Sequence, residues 1–204
     1  MRRFLMVILS LLTIVSIGLS FLSIKNQKDA GISAIRGYID GDVRRHIVAE
    51  YGDATSIEDL LEQLKDFACE NFKYNYHQAD IQHFQWFDYM HFVQGTTIYG
   101  GGPYSGICFD FSAYTSAVVQ IISEYKDWNG IRVDMVRLLP LKGGSRHSCN
   151  FIYADNAVYY LDLTADSTEY QQGRMDGVWG AVMLGNQTPK EFCRTLGYVL
   201  ECVI

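Results

Sequence analysis

The sequence predicts an α+β domain, on three observations. Helical periodicity marks residues 56–72 and 108–125, strand-like alternation with turn signals dominates residues 131–163, and a capped helix follows near the C-terminus. Helices first and strands later is the α+β order. With 204 residues, 49% hydrophobic and 20% charged, the chain suffices for one core and has no disordered composition.

The N-terminal segment stands apart from that domain. Met1-Arg2-Arg3 precedes an uncharged apolar run from Phe4 to Leu22, long enough to cross a bilayer's hydrocarbon core. The arginines keep the start cytoplasmic and send the rest outward, so residues 1–24 are read as a membrane anchor or signal segment and residues 25–204 as one extracytoplasmic domain. An anchor is preferred to a cleaved signal. The run exceeds a usual signal core, and Ser16, Gly18 and Ser20 supply small residues without a clear A-x-A site.

Within the domain, Thr55 and Glu58 form a capping-box pattern ahead of Ile57, Leu60, Leu61, Leu64, Phe67 and Ala68, predicting a helix from Ser56 to Phe72. Lys73 to Tyr99 is aromatic-rich and weakly periodic, which predicts short helices and loops. The cluster His83, Phe84, Trp86 and Phe87 could line a groove, but burial beside the first helix is the better reading. Gly100 to Pro103 break the chain, and a second amphipathic helix starts near Cys108 and runs through Phe111, Tyr114, Val118, Ile121 and Tyr125.

After the turn signal Asn129-Gly130, Ile131 to Val136 alternates as a half-buried strand. Gly143-Gly144-Ser145 makes a loop, and His147 to Tyr153 and Ala157 to Leu163 form a hairpin joined by Ala154-Asp155-Asn156. Thr188-Pro189-Lys190-Glu191 caps the last helix, with proline at its first position.

Composition excludes some functions. A net charge of −6 with no basic stripe argues against nucleic acid as a partner. Cys69, Cys108, Cys149, Cys193 and Cys202 show no metal-ligand spacing, so neither metal nor cofactor is expected. Five cysteines leave one thiol over if the other four pair, in any of three ways.

The chemistry concentrates in Cys108, His147 and Asp162. A thiol reacts as its thiolate, which a helix N-terminus and a nearby imidazolium both favour. Cys108 sits where a glycine-rich loop becomes a helix, and its own N–H could serve an oxyanion. His147 opens a strand, and Asp162 lies on the neighbouring strand, within reach of the second imidazole nitrogen. Taken singly, each residue has a plainer reading, as a small buried hydrophobe or a hydrogen-bonded side chain.

Three ordered motifs carry a resemblance. Gly106-Ile107-Cys108-Phe109-Asp110-Phe111-Ser112, His147-Ser148-Cys149-Asn150-Phe151-Ile152-Tyr153 and Tyr159-Tyr160-Leu161-Asp162-Leu163-Thr164 resemble the nucleophile, histidine and aspartate motifs of the transglutaminase-like superfamily. The intervals between them also fit, and the resemblance covers Ser105 to Asp166. Cys149 stands where that family often has tryptophan, Leu163 replaces a proline, and Ala165 replaces an aromatic; no reacting group is lost. Cys149 shares a strand face with His147, so it is either a second thiol in the cleft or, the better reading, a packed core residue.

The resemblance implies a papain-related cysteine-proteinase fold, the nucleophile helix packed against an antiparallel sheet. It implies acyl transfer through a thioester, with a peptide or protein as substrate. It also implies an upstream side chain as second oxyanion donor, for which Gln94, Trp86 and Tyr104 are candidates. Three functions stay open: amide hydrolysis, which is favoured, amine transfer to a glutamine side chain, and peptide binding without catalysis.

Overall fold

The computed structural model describes residues 41–81, 87–166 and 182–204. The N-terminal apolar segment and His83, Phe84 and Trp86 lie outside them. Among the described residues, no helix is long and apolar enough to cross a membrane.

Helix α1 (Gly41–Tyr51) buries Val43, Ile47 and Tyr51, spaced four apart on one face. Helix α2 (Ile57–Asn71) is the first predicted helix, but its cap lies one residue later than Thr55 and Glu58 suggest. Ser56 is the N-cap, its Oγ accepting the Asp59 N–H at 3.2 Å. Asp59 Oδ2 in turn accepts from the Thr55 amide and hydroxyl, at 2.8 and 2.9 Å. Ser56-x-x-Asp59 thus takes over the capping, and the Glu58 carboxylate is left to accept the Tyr159 hydroxyl.

Strand β1 (Lys73–Tyr74) pairs in parallel with β2 (Ser105–Gly106). The segment between them contains helices α3 (Tyr76–Ile81) and α4 (Tyr89–Gln94), the latter capped by Asp88 and ended by Gly95 in the left-handed region. Gly95 has no substitute, because a Cβ there would lie 2.3 Å from both Gly102 C and Pro103 N.

Helix α5 (Cys108–Tyr125) follows β2 directly. The sequence predicts it as amphipathic; in the structure every residue from Cys108 to Val119 is buried. A helix covered on all sides has no polar stripe, and its hydroxyls bond inward. Ser112, Thr115 and Ser116 each donate to the carbonyl four residues back, at 2.8 to 3.0 Å.

A five-stranded antiparallel sheet follows, in the order β6-β5-β4-β3-β7. Its strands are β3 (Arg132–Pro140), β4 (His147–Ala154), β5 (Ala157–Leu161), β6 (Val182–Met183) and β7 (Tyr198–Val203). The expected hairpin is β4–β5, with Ala154 opposite Ala157 and Asp155-Asn156 as its turn. A short helix, α6 (Leu163–Asp166), follows β5, and α7 (Pro189–Thr195) carries the expected Thr188/Glu191 capping box.

Two cores flank the sheet. Ile152, Ala154 and Leu161 join the helical core of α1, α2, α4 and α5, where Tyr51, Phe67, Phe72, Phe92 and Tyr114 interlock. Val136, Leu138, Cys149, Phe151 and Tyr160 pack on the other face with Leu184, and with Phe192 and Cys193 of α7. The architecture is α+β, with the Cys108 helix lying on an antiparallel sheet.

Candidate active site

Cys108 is the first residue of α5. Ile107 before it is extended, at φ −115° and ψ 176°, and the Asp110 carboxylate folds back over the turn. Asp110 Oδ2 accepts the Ile107 N–H at 2.9 Å and the Gln78 Nε2–H at 2.6 Å. No described residue accepts the Cys108 N–H, which belongs to the free first turn of the helix.

Asp110 explains the glycine two residues before the cysteine. A Cβ on Gly106 would stand 2.8 Å from Asp110 Cβ and Oδ2 and 3.0 Å from Phe92 Cε2. Gly106→Ala is therefore expected to destabilise the fold by about 1–3 kcal/mol, the ordinary result of overpacking. Chemical denaturation measures it; a variant as stable as the parent would mean that Asp110 can step aside.

His147 and Asp162 meet at one end of two neighbouring strands. His147 begins β4, Asp162 follows the last residue of β5, and His147 Nε2 lies 2.6 Å from Asp162 Oδ2. The two side chains are 14% and 7% exposed. Cys108 lies close enough to His147 to strengthen the imidazole's hold on its proton. With Nε2 engaged by Asp162, Nδ1 is the nitrogen left for the thiol.

The electrostatics follow from that chain of contacts. Burial alone depresses the His147 imidazole, but the charge and hydrogen bond of Asp162, joined by Cys108, hold its pKa well above the ordinary value. Burial likewise pushes the Asp162 carboxyl up. His147, the Thr164 N–H and the Tyr160 hydroxyl outweigh burial and bring it below the usual carboxylate value. The bonds from Tyr160 and Thr164 are both 3.1 Å.

Sequence reasoning missed two supporting residues. Tyr160 lies two positions before Asp162, on the same strand face, and its hydroxyl fixes the carboxylate. Asn150 lies on the opposite face of β4 from His147. Its Nδ2 donates to Ser112 O at 3.1 Å and Ser116 Oγ at 3.0 Å, tying the histidine strand to the cysteine helix. The signal for both was strand periodicity combined with polar atoms on core faces.

The structure brings Cys108, His147 and Asp162 together, but of the described upstream candidates neither Gln94 nor Tyr104 joins them. Gln94 is exposed at the end of α4. Tyr104 packs edge-on against Phe67 and Phe92, with ring centroids 5.0 and 5.8 Å away, so its ring belongs to the helical core. Trp86 lies outside the described residues. Phe87, the described member of the aromatic cluster, packs against the helical core.

All five cysteines are free thiols. Cys149 is fully buried in the smaller core, with Cys193, and burial holds its thiol well above the ordinary pKa. It is a packing residue and not an exposed second thiol.

No protein-family model matches the chain, and no curated protein matches it. Among solved structures it is similar to one described as the crystal structure of a TGase, with a TM-score of 0.40 and 14% identity over 67% of this chain. The chain spans about a third of that protein's length, 33%. A likeness that distant carries no argument about fold or function.

Proposed function

We propose that the chain is a thiol acyl-transfer enzyme that hydrolyses amide bonds, with Cys108 as nucleophile, His147 as acid and base, and Asp162 as the residue that orients His147. One observation carries the reading: the His147–Asp162 pair, joined at 2.6 Å, beside a thiol at a helix start. A buried histidine held protonated by a carboxylate, beside a thiol, suits nucleophilic catalysis.

The steps follow from those roles. Cys108 Sγ attacks the amide carbon, and the Cys108 N–H at the open helix turn faces the developing oxyanion. The C–N bond breaks as His147 gives its proton to the departing nitrogen, leaving an acyl thioester and a neutral imidazole. Water then attacks the thioester while His147 takes its proton; the C–S bond breaks, and the carboxylic product leaves.

The apolar segment Phe4 to Leu22 supports an extracytoplasmic, membrane-anchored or secreted site of action on peptide or protein amides. The full chain incubated with a peptide mixture in ¹⁸O-water tests the reaction. Incorporation of ¹⁸O into released carboxyl groups is expected. Absence of label, with an added primary amine incorporated instead, would replace hydrolysis by amine transfer. Formation of neither product would overturn the enzymatic reading.

A further inference from the structure

A cavity of about 160 Å³ lies next to the first turn of α5, and the chemistry at Cys108 makes no use of it. Asp110 lines it. Two residues along an α-helix is about 200° around the axis, so Asp110 leaves the turn on the side away from Cys108. We propose that this cavity binds an alkylammonium group, its charge on Asp110 and its carbon chain against Phe87, Phe92 and Tyr99.

The carboxylate is half used. Asp110 is 5% exposed, and both of its hydrogen bonds fall on Oδ2, from Ile107 and Gln78. Oδ1 accepts nothing from any described residue, and no lysine or arginine is among the described residues lining the cavity. A buried carboxylate without a counter-charge is unfavourable, and burial accordingly pushes Asp110 up to about 6, which leaves it mostly ionised at neutral pH.

The rest of the lining selects the cation. Asp88 is already committed, its Oδ1 to the His91 N–H at 3.0 Å and its Oδ2 to His91 Nδ1 at 2.9 Å. One free carboxylate oxygen falls far short of the six or more oxygens a hard divalent metal takes. An ammonium needs only one charge-assisted bond, and aromatic faces attract its charge and shelter its methylenes.

Calorimetry on the full chain at neutral pH tests this with 1-aminobutane, its neutral counterpart 1-butanol, and a lysine capped at both ends. The amine is expected to bind at least about tenfold more tightly than the alcohol, as a charge-assisted contact should give. Asp110→Asn, which keeps an oxygen for Ile107 and Gln78, is expected to lose that preference. Capped lysine matching the amine identifies a protein side chain as the natural ligand, and its failure beside a binding amine identifies a free amine; both support the proposal. Equal affinity for amine and alcohol, no binding of either, or an unchanged preference in Asp110→Asn overturns it. The amine–alcohol comparison uses the parent protein, so it decides the matter even where the variant does not fold.

Discussion

Asp162→Asn is expected to lower kcat by about 10⁴-fold while leaving Cys108 and His147 in place, because an amide can neither hold the imidazole in its working orientation nor stabilise its charge. The pH profile should move as well. Burial opposes the protonated imidazole, and Asp162 is the main support that overcomes it. Without that charge the His147 pKa falls. Acylation by the proposed mechanism requires the proton on His147, so the alkaline limb of the rate profile should shift to lower pH in the variant.

The same pair sets a stability window. His147 is raised in the folded state, so its contribution is complete below about 6.5, the unfolded value, and fades as pH rises through the folded one. Asp162 is lowered, so its contribution is complete above about 3.9 and fades as pH falls through its folded value. The pair therefore stabilises the fold most between about pH 4 and 6.5. Denaturation of parent and Asp162→Asn across pH should differ most in that window. A constant difference from pH 4 to 9 would mean that the pair does not titrate as described.

Cys108→Ala has the second large effect. In the proposed mechanism it removes the atom that would form the thioester, so turnover should fall by about 10⁴-fold or more. The fold should survive, because the hydrogen bond Cys108 accepts from Ser112 falls on its backbone carbonyl, which alanine keeps. Intact mass after brief exposure to an acyl donor checks the role. The parent gains the acyl mass and the variant does not; an equal adduct on both would place the nucleophile elsewhere.

Much of the secondary structure set by neighbours in sequence was legible, although helix α1 was not. The helix at Cys108, the β4–β5 hairpin and the Thr188 cap each declare themselves through periodicity or a local hydrogen-bond pattern. The contact between His147 and Asp162 was legible for the same reason, since a two-residue turn fixes the register of their strands. Pairings over long separation were not. The two-residue strands β1 and β2 are too short to show alternation, and β7 pairs with β3 through a bulge between Arg137 and Leu138.

The site was half legible. Reactive groups stand out by residue type, but Asn150 and Tyr160 matter through partners that only the packed structure supplies: a helix carbonyl, a serine hydroxyl and a buried carboxylate. Tyr104 misled in the opposite direction. A phenol just upstream of the thiol suggests an oxyanion donor, whereas the aromatic core between α2, α4 and α5 takes up its ring.

The most direct test of the account is the alkylation rate of Cys108 at pH 6 in the full chain and in His147→Ala. Site-resolved mass spectrometry separates Cys108 from the other four thiols. The proposed mechanism has His147 activate the sulfur directly, so the parent should react about tenfold faster or more. Equal rates in the two proteins would contradict the pairing of Cys108 with His147.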